Sequence, residues 1–119
     1  MAVTTGIDLE RFQEEGFLVV EGALDPARDL DPVVAEYTAL LDELTARWHA
    51  DGKLSSIYRS VPFAQRLAQV FREVGIQEVY PHLDISLSGG AITPETPIHL
   101  GPATFALLVS PRLLDVVEP

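Results

Sequence analysis

The chain has 119 residues, with 18 Asp and Glu against 8 Lys and Arg, no Cys, and a formal net charge of −10. This length indicates one domain at most, and a hydrophobic content of 47% is enough for a core. The lack of Cys excludes disulfide scaffolds, thiolate-bound metals and thiol nucleophiles, while the negative charge argues against nucleic acid and anionic membranes, since both are bound through Lys and Arg.

The first predicted elements are a short helix and a strand. Asp8 is a suitable N-cap for a helix that ends at Gly16. Residues 17–20 are an apolar, β-prone run between Gly16 and Gly22, which predicts a buried strand. We therefore expect the chain to open with a helix that leads into a strand.

A long second helix is predicted next. Asp31 and Pro32 suit its first turn, and Gly52 ends it. Its apolar residues recur at spacings of 3 and 4 and form one stripe, which consists of Leu30, Val34, Tyr37, Leu41, Leu44 and Trp48. Because the stripe spans fewer than three heptads, it favours an amphipathic helix packed on its own fold over a coiled-coil zipper.

The second half of the chain predicts a third helix, a second strand, a long loop and a short last helix. Ser60 and Pro62 open the third helix and Gly75 ends it. Its apolar face consists of Phe63, Leu67, Val70, Phe71 and Val74. Residues 83–87 alternate between apolar and polar, which predicts a strand. The loop covers the Gly- and Pro-rich residues 88–102, residues 103–109 form a helix or a buried turn, and Ser110 and Pro111 begin the last helix.

His82 and Asp84 are the candidate metal ligands. On a strand, residues i and i+2 face the same way, so an imidazole and a carboxylate at this spacing can hold one ion. A second histidine, His49 or His99, would complete the ligand set of non-haem Fe(II) enzymes. The alternative is a surface histidine and a solvent-facing aspartate on an edge strand. Because His99 follows Asp84 so closely, and few strands remain to enclose an ion, we assign no catalytic, cofactor-binding or metal residue within the chain.

The order of features in residues 12–26, FQEEGFLVVEGALDP, resembles the N-terminal region of the phytanoyl-CoA dioxygenase family. That region has a short helix, a Gly-aromatic step, an apolar strand and a turn that leads into a long helix. Residues 113–119 are similar to the family's segment just before its catalytic barrel. The resemblance implies Fe(II)- and 2-oxoglutarate-dependent hydroxylation inside a double-stranded β-helix, or jelly roll.

The family's catalytic motifs are imitated in order by His82, Asp84, His99 and Arg112, but Asp84 and His99 are too close to span a barrel of roughly eight strands. We therefore expect residues 1–119 to be a single partial domain, mainly α with minor β, that forms the helical N-terminal portion of such a dioxygenase without most of its barrel. By this resemblance Fe(II) and 2-oxoglutarate belong to the full-length parent, and neither is expected on this chain alone. The expected partner is the missing barrel, or a second copy bound through exposed apolar helix faces.

Two alternatives remain open at this point. One is a stand-alone acidic helical module that binds proteins through its long helix. The other is a very small metal enzyme that uses His82, Asp84 and His99. A cytoplasmic location is expected, because the chain has no run of apolar residues long enough to cross a membrane and does not start like a signal peptide.

Overall fold

Helices are the only regular elements in the part of the chain that the structure describes, residues 7–87 and 90–118. In the computed structural model the α-helices are α1 (Leu9–Glu15), α2 (Asp31–Ala50), α3 (Phe63–Val74), α4 (Ile76–Leu83), α5 (Pro102–Leu108) and α6 (Pro111–Val117). A π-helical turn, Pro26–Leu30, runs directly into α2. The expected mainly α fold is confirmed. Of the helices described, none has the length together with the apolar character that crossing a membrane requires.

Capping residues set the boundaries of the first helices. Asp8 Oδ1 accepts a hydrogen bond from the backbone N–H of Arg11 at 2.9 Å and so caps α1, as predicted. Gly16 ends this helix in the left-handed conformation, with φ of 81°, which glycine adopts at little cost. The predicted cap of the second helix is wrong: Asp31 lies inside the helical path. Asp25 caps the preceding π-helical turn instead, by accepting from the backbone N–H of Ala27 at 3.1 Å.

The two predicted strands are wrong for the described residues. Residues 17–20 lie in no helix and pair with no strand. Residues 83–87 are not a strand either, because α4 continues through Leu83 and the chain then bends. A strand must satisfy its backbone N–H and C=O groups against a neighbouring strand, and the described part of the chain supplies none. Alternation over so few residues also fits a helix end that is followed by a bend.

The chain divides into two compact units, a first unit from residues 1–33 and 102–119 and a second unit from residues 34–101. The second unit contains the hydrophobic core. Its fully buried apolar side chains come from α2, α3, α4 and the segment after α2, and they are Leu41, Leu44, Trp48, Leu54, Val70 and Val79. The stripe predicted for the second helix is therefore buried over its C-terminal half, while Val34 remains exposed.

The second unit also contains a buried arginine that connects two of its helices. Arg66 on α3 is only 2% exposed. Its Nη1 donates to Asp42 Oδ1 at 2.6 Å and its Nη2 to Thr45 Oγ1 at 3.0 Å, both on α2. Its Nε donates to the backbone carbonyl of Ile57 at 3.0 Å. Because all three nitrogens are engaged, the guanidinium joins α3 to α2 and to the connection between them.

The first unit buries much less of its apolar surface. None of the residues of α1, α5 and α6 is fully buried. Phe17, Val19 and Phe105 are each more than half exposed. The unit therefore presents large apolar side chains to solvent, as surfaces that bind other proteins do.

Candidate functional site

The candidate iron ligands His82, Asp84 and His99 all lie in the second unit, as does the alternative ligand His49. Nδ1 of His49 lies 2.9 Å from the backbone carbonyl oxygen of Leu54, within hydrogen-bond distance. His82 is part of α4, and Asp84 follows its last residue. Successive residues of an α-helix are rotated by roughly 100°, so residues i and i+2 point to different sides. The shared face that was predicted for His82 and Asp84 depends on a strand, and that strand does not form.

His82 packs against the hydrophobic core. Its ring lies edge-on to that of Trp48, with centroids 5.7 Å apart and an angle of 75° between the planes. Burial lowers the pKa of His82, and the positive charge of Arg47 lowers it further, while the Glu78 carboxylate acts in the opposite direction. The neutral imidazole is therefore favoured, as a packing partner for the tryptophan.

Asp84 stabilises the turn that follows α4. Its Oδ1 accepts hydrogen bonds from the backbone N–H of Ser86 at 3.1 Å and from the Ser86 hydroxyl at 3.0 Å. These bonds lower the pKa of Asp84 below its usual value. The backbone carbonyl of Asp84 accepts from the backbone N–H of His99 at 2.7 Å. The segment after α4 thus doubles back, and Asp84 and His99 meet through their backbones.

The side chain of His99 is held by α2. Its Nε2 lies 3.0 Å from Oε2 of Glu36, and the side chains are only 7% and 14% exposed. The ring of Tyr37 lies beside that of His99, with centroids 4.2 Å apart and planes inclined by 32°. The Tyr37 hydroxyl donates to the backbone carbonyl of Leu83 at 2.8 Å, which ties the same turn of α2 to the end of α4.

The backbone of Gly101 lies against Glu36 and His99, because glycine has no side chain. A Cβ atom at this position would overlap the Glu36 carboxylate and the His99 ring. Only glycine lets the backbone approach the pair so closely. We call Glu36, Tyr37, His99 and Gly101 the His99 cluster. At its centre the side chains of Glu36 and His99 are in contact. The ring of Tyr37 lies beside His99, and the backbone of Gly101 lies close to both side chains.

The three candidate ligands do not form a metal site. Within residues 7–87 and 90–118, no three His, Asp or Glu side chains are grouped so that they could hold a metal ion. Nε2 of His99 is engaged by Glu36, and Oδ1 of Asp84 by Ser86. The residues present therefore do not fit the Fe(II) that the resemblance implies for a full-length parent. Arg112 follows the three candidate ligands in the sequence, as the co-substrate arginine does in the family. It belongs to α6 in the first unit.

Glu36 and Arg66 are the site and core residues that the sequence did not predict. Glu36 falls outside the apolar stripe of α2, where a solvent-exposed charge is the normal expectation. Its partner His99 is 63 positions away, so no local pattern relates them. A signal did exist for Arg66, since it precedes Val70 by four residues and so lies on the buried face of α3.

No protein-family model matches the chain, and neither a curated protein nor a solved structure matches it. The function of the chain is therefore inferred from its own residues and their geometry.

Proposed function

We propose that this chain is the helical layer of an Fe(II)- and 2-oxoglutarate-dependent hydroxylase of the phytanoyl-CoA dioxygenase type, and that it packs against a jelly-roll barrel which carries the iron ligands. The order of elements supports this proposal. A short helix ends at Gly16, an apolar segment follows, Asp25 caps the turn after it, and the 20-residue helix α2 comes next. This is the order of features on which the resemblance to that family rests.

The observation that carries the proposal is the apolar segment at residues 17–20. Phe17 and Val19 are 61% and 76% exposed, while the alternate residues Leu18 and Val20 are half-buried. Exposure thus alternates as it does along an extended backbone. A segment that is apolar on both sides is typical of a strand covered on both faces of a sheet. A barrel strand that paired with it would satisfy its backbone groups, and a layer of the barrel packed on the same face would cover Phe17 and Val19.

The test is 2-oxoglutarate consumption by the product of the complete reading frame that contains this chain. We expect Fe(II)-dependent consumption, which Val19→Asp abolishes because a charge at this position opposes burial in a sheet. Leu100→Asp is the matched control: it adds the same charge at a side chain that is 82% exposed and lies outside the segment, so activity is retained. A reading frame that ends at Pro119, or a product that consumes no 2-oxoglutarate, would contradict the proposal.

The second candidate function is a stand-alone acidic module that binds another protein. A shallow apolar depression of about 340 Å³ on α4 favours it, lined by Ile76, Gln77, Tyr80 and Pro81. Sedimentation and thermal unfolding of the isolated 119-residue chain distinguish the candidates. Self-association that Val19→Asp reverses supports the helical layer, because its uncovered segment then pairs between copies. A cooperatively melting monomer supports the module.

A further inference from the structure

A cleft in the first unit combines two arginine side chains with an apolar wall. It has a volume of about 530 Å³ and is formed by residues of the π-helical turn, the first turn of α2, α5 and α6. Arg28 and Arg112 line it together with apolar side chains that include Pro32, Ala106 and Leu107. This volume is in the range of clefts that bind small organic molecules, and the mixture of a few polar groups with an apolar wall is typical of them.

One polar atom in this cleft, on Arg112, lacks a hydrogen-bond partner among the described residues. Nη1 of Arg112 is buried from solvent and has no acceptor. Ser110 is 9% exposed, and its side chain makes no capping hydrogen bond to α6. A buried guanidinium N–H that has lost water without gaining an acceptor is unfavourable. A ligand acceptor in the cleft would remove this cost once the Arg112 side chain turned Nη1 toward it.

The charges that line the cleft define the charge of the ligand. Nε of Arg28 lies 3.9 Å from Oδ1 of Asp29, whose side chain is 10% exposed. The Asp29 carboxylate therefore offsets the charge of Arg28. Of the residues that line the cleft, Arg112 then contributes the one positive charge that is not balanced. A ligand with a single negative charge complements it.

We propose that this cleft binds a monocarboxylate with a short aliphatic chain. The carboxylate lies against the Arg112 guanidinium and the Ser110 hydroxyl, which supply N–H and O–H donors. The aliphatic chain lies against Ala106 and Leu107. A dicarboxylate such as 2-oxoglutarate fits poorly, because its second charge has no partner in the cleft and faces apolar side chains. This binding site does not depend on the proposed hydroxylase function.

The probe is octanoate, titrated into the full chain and followed by isothermal calorimetry and by amide NMR shifts. We expect saturable 1:1 binding, with the largest shifts in residues 103–112. Octylamine has the same aliphatic chain with the opposite charge, so no binding is expected. The affinity for 2-oxoglutarate should be lower than that for octanoate by about tenfold or more. Equal binding of octylamine, or shifts spread over both units, would identify adsorption to exposed apolar surface and overturn the proposal.

Variants locate the binding. Arg112→Gln should weaken octanoate binding by about tenfold or more, and Ser110→Ala by a smaller factor. Arg59→Gln removes a charge from an exposed position of the second unit and should leave the affinity unchanged. Ala106→Phe fills the cleft but retains every charge, so it should also block binding, and it replaces Arg112→Gln if that variant fails to fold. Octanoate binding that survives Ala106→Phe would place the ligand elsewhere.

Discussion

Glu36 and His99 lie 63 residues apart in the sequence, and their side chains meet with Oε2 and Nε2 3.0 Å apart in the second unit. Both side chains are largely hidden from solvent. Since the backbone N–H of His99 also donates to the carbonyl of Asp84, this histidine joins the segment before Gly101 to α2 and to the end of α4. Nε2 of His99 is thus engaged in holding the fold.

Replacing Gly101 with Ala should destabilise the second unit, because the added Cβ would overlap the Glu36 carboxylate and the His99 ring. Overpacking of this kind costs about 1–3 kcal/mol. We expect a lower urea midpoint and faster proteolysis between residues 90 and 101. Gly90→Ala is the matched control, because a Cβ at Gly90 meets nothing within 4 Å. Equal stability of the two variants would mean that the His99 cluster shifts to accommodate the methyl group.

Replacing Arg66 with Met should lower the free energy of unfolding by about 3 kcal/mol, the lower end of the range for breaking a buried ion pair. The lower end applies because the side chain of Asp42 is 36% exposed, so its charge remains partly hydrated. Urea unfolding measures the loss, and Arg59→Met, at an exposed position, should change it by about 0.5 kcal/mol or less. A stable Arg66→Met variant would show that the methionine packs as well as the guanidinium does.

Most of the helices could be predicted because their signals are local, whereas α4 was not predicted. Asp8 and Gly16 bound α1 as capping chemistry requires, and the apolar residues of α3 recur at helical spacing up to Gly75. The strand predictions had no such support. Four or five residues of apolar or alternating pattern do not distinguish a strand from a helix end or an unpaired segment, since pairing depends on a neighbour that the pattern does not contain.

The candidate site was predicted less well than the fold, for two physical reasons. The His82–Asp84 spacing defines a shared face only on a strand, so the change to helix α4 removed the basis of the site. The Glu36–His99 contact depends on the path of the whole intervening chain. Close approach at Gly101 is likewise a property of the folded backbone, although a glycine two residues after His99 was visible in the sequence.

The Glu73 carboxylate should make the second unit sensitive to acid. It accepts a hydrogen bond from the Tyr58 hydroxyl, one from the backbone N–H of Ser55 at 3.0 Å and one from Gln69 at 3.1 Å. These hydrogen bonds lower the pKa of Glu73 from its ordinary 4.5 to about 2, and the bond from Tyr58 has the largest effect. The unfolded chain therefore takes up this proton first as the pH falls. The stabilisation is complete above pH 4.5 and is lost as the pH approaches 2.

Glu73→Gln tests this assignment. The variant should be less stable than the wild type near pH 6 and should lose less stability on acidification, so the two urea midpoints converge as the pH approaches about 2. Glu14→Gln, at an exposed position of α1, serves as the control for the loss of one negative charge. Parallel acid profiles for the wild type and Glu73→Gln would show that other carboxylates dominate the acid response.

The pKa of His82 should respond to its two charged neighbours in opposite directions. Burial lowers this pKa from 6.5, and Arg47 lowers it further, whereas Glu78 raises it. As the pH falls through 6.5, His82 is protonated in the unfolded chain before it is protonated in the folded one. The neutral, buried imidazole therefore contributes to the free energy of unfolding above pH 6.5, and this contribution declines as the pH falls toward the folded pKa. Arg47→Gln should raise the pKa of His82 and Glu78→Gln should lower it, both measured by NMR titration of the imidazole protons. Arg11→Gln on α1 makes the same charge change at another exposed position and should leave the titration unchanged. If Arg47→Gln also left it unchanged, the charge of Arg47 would have no part in setting this pKa.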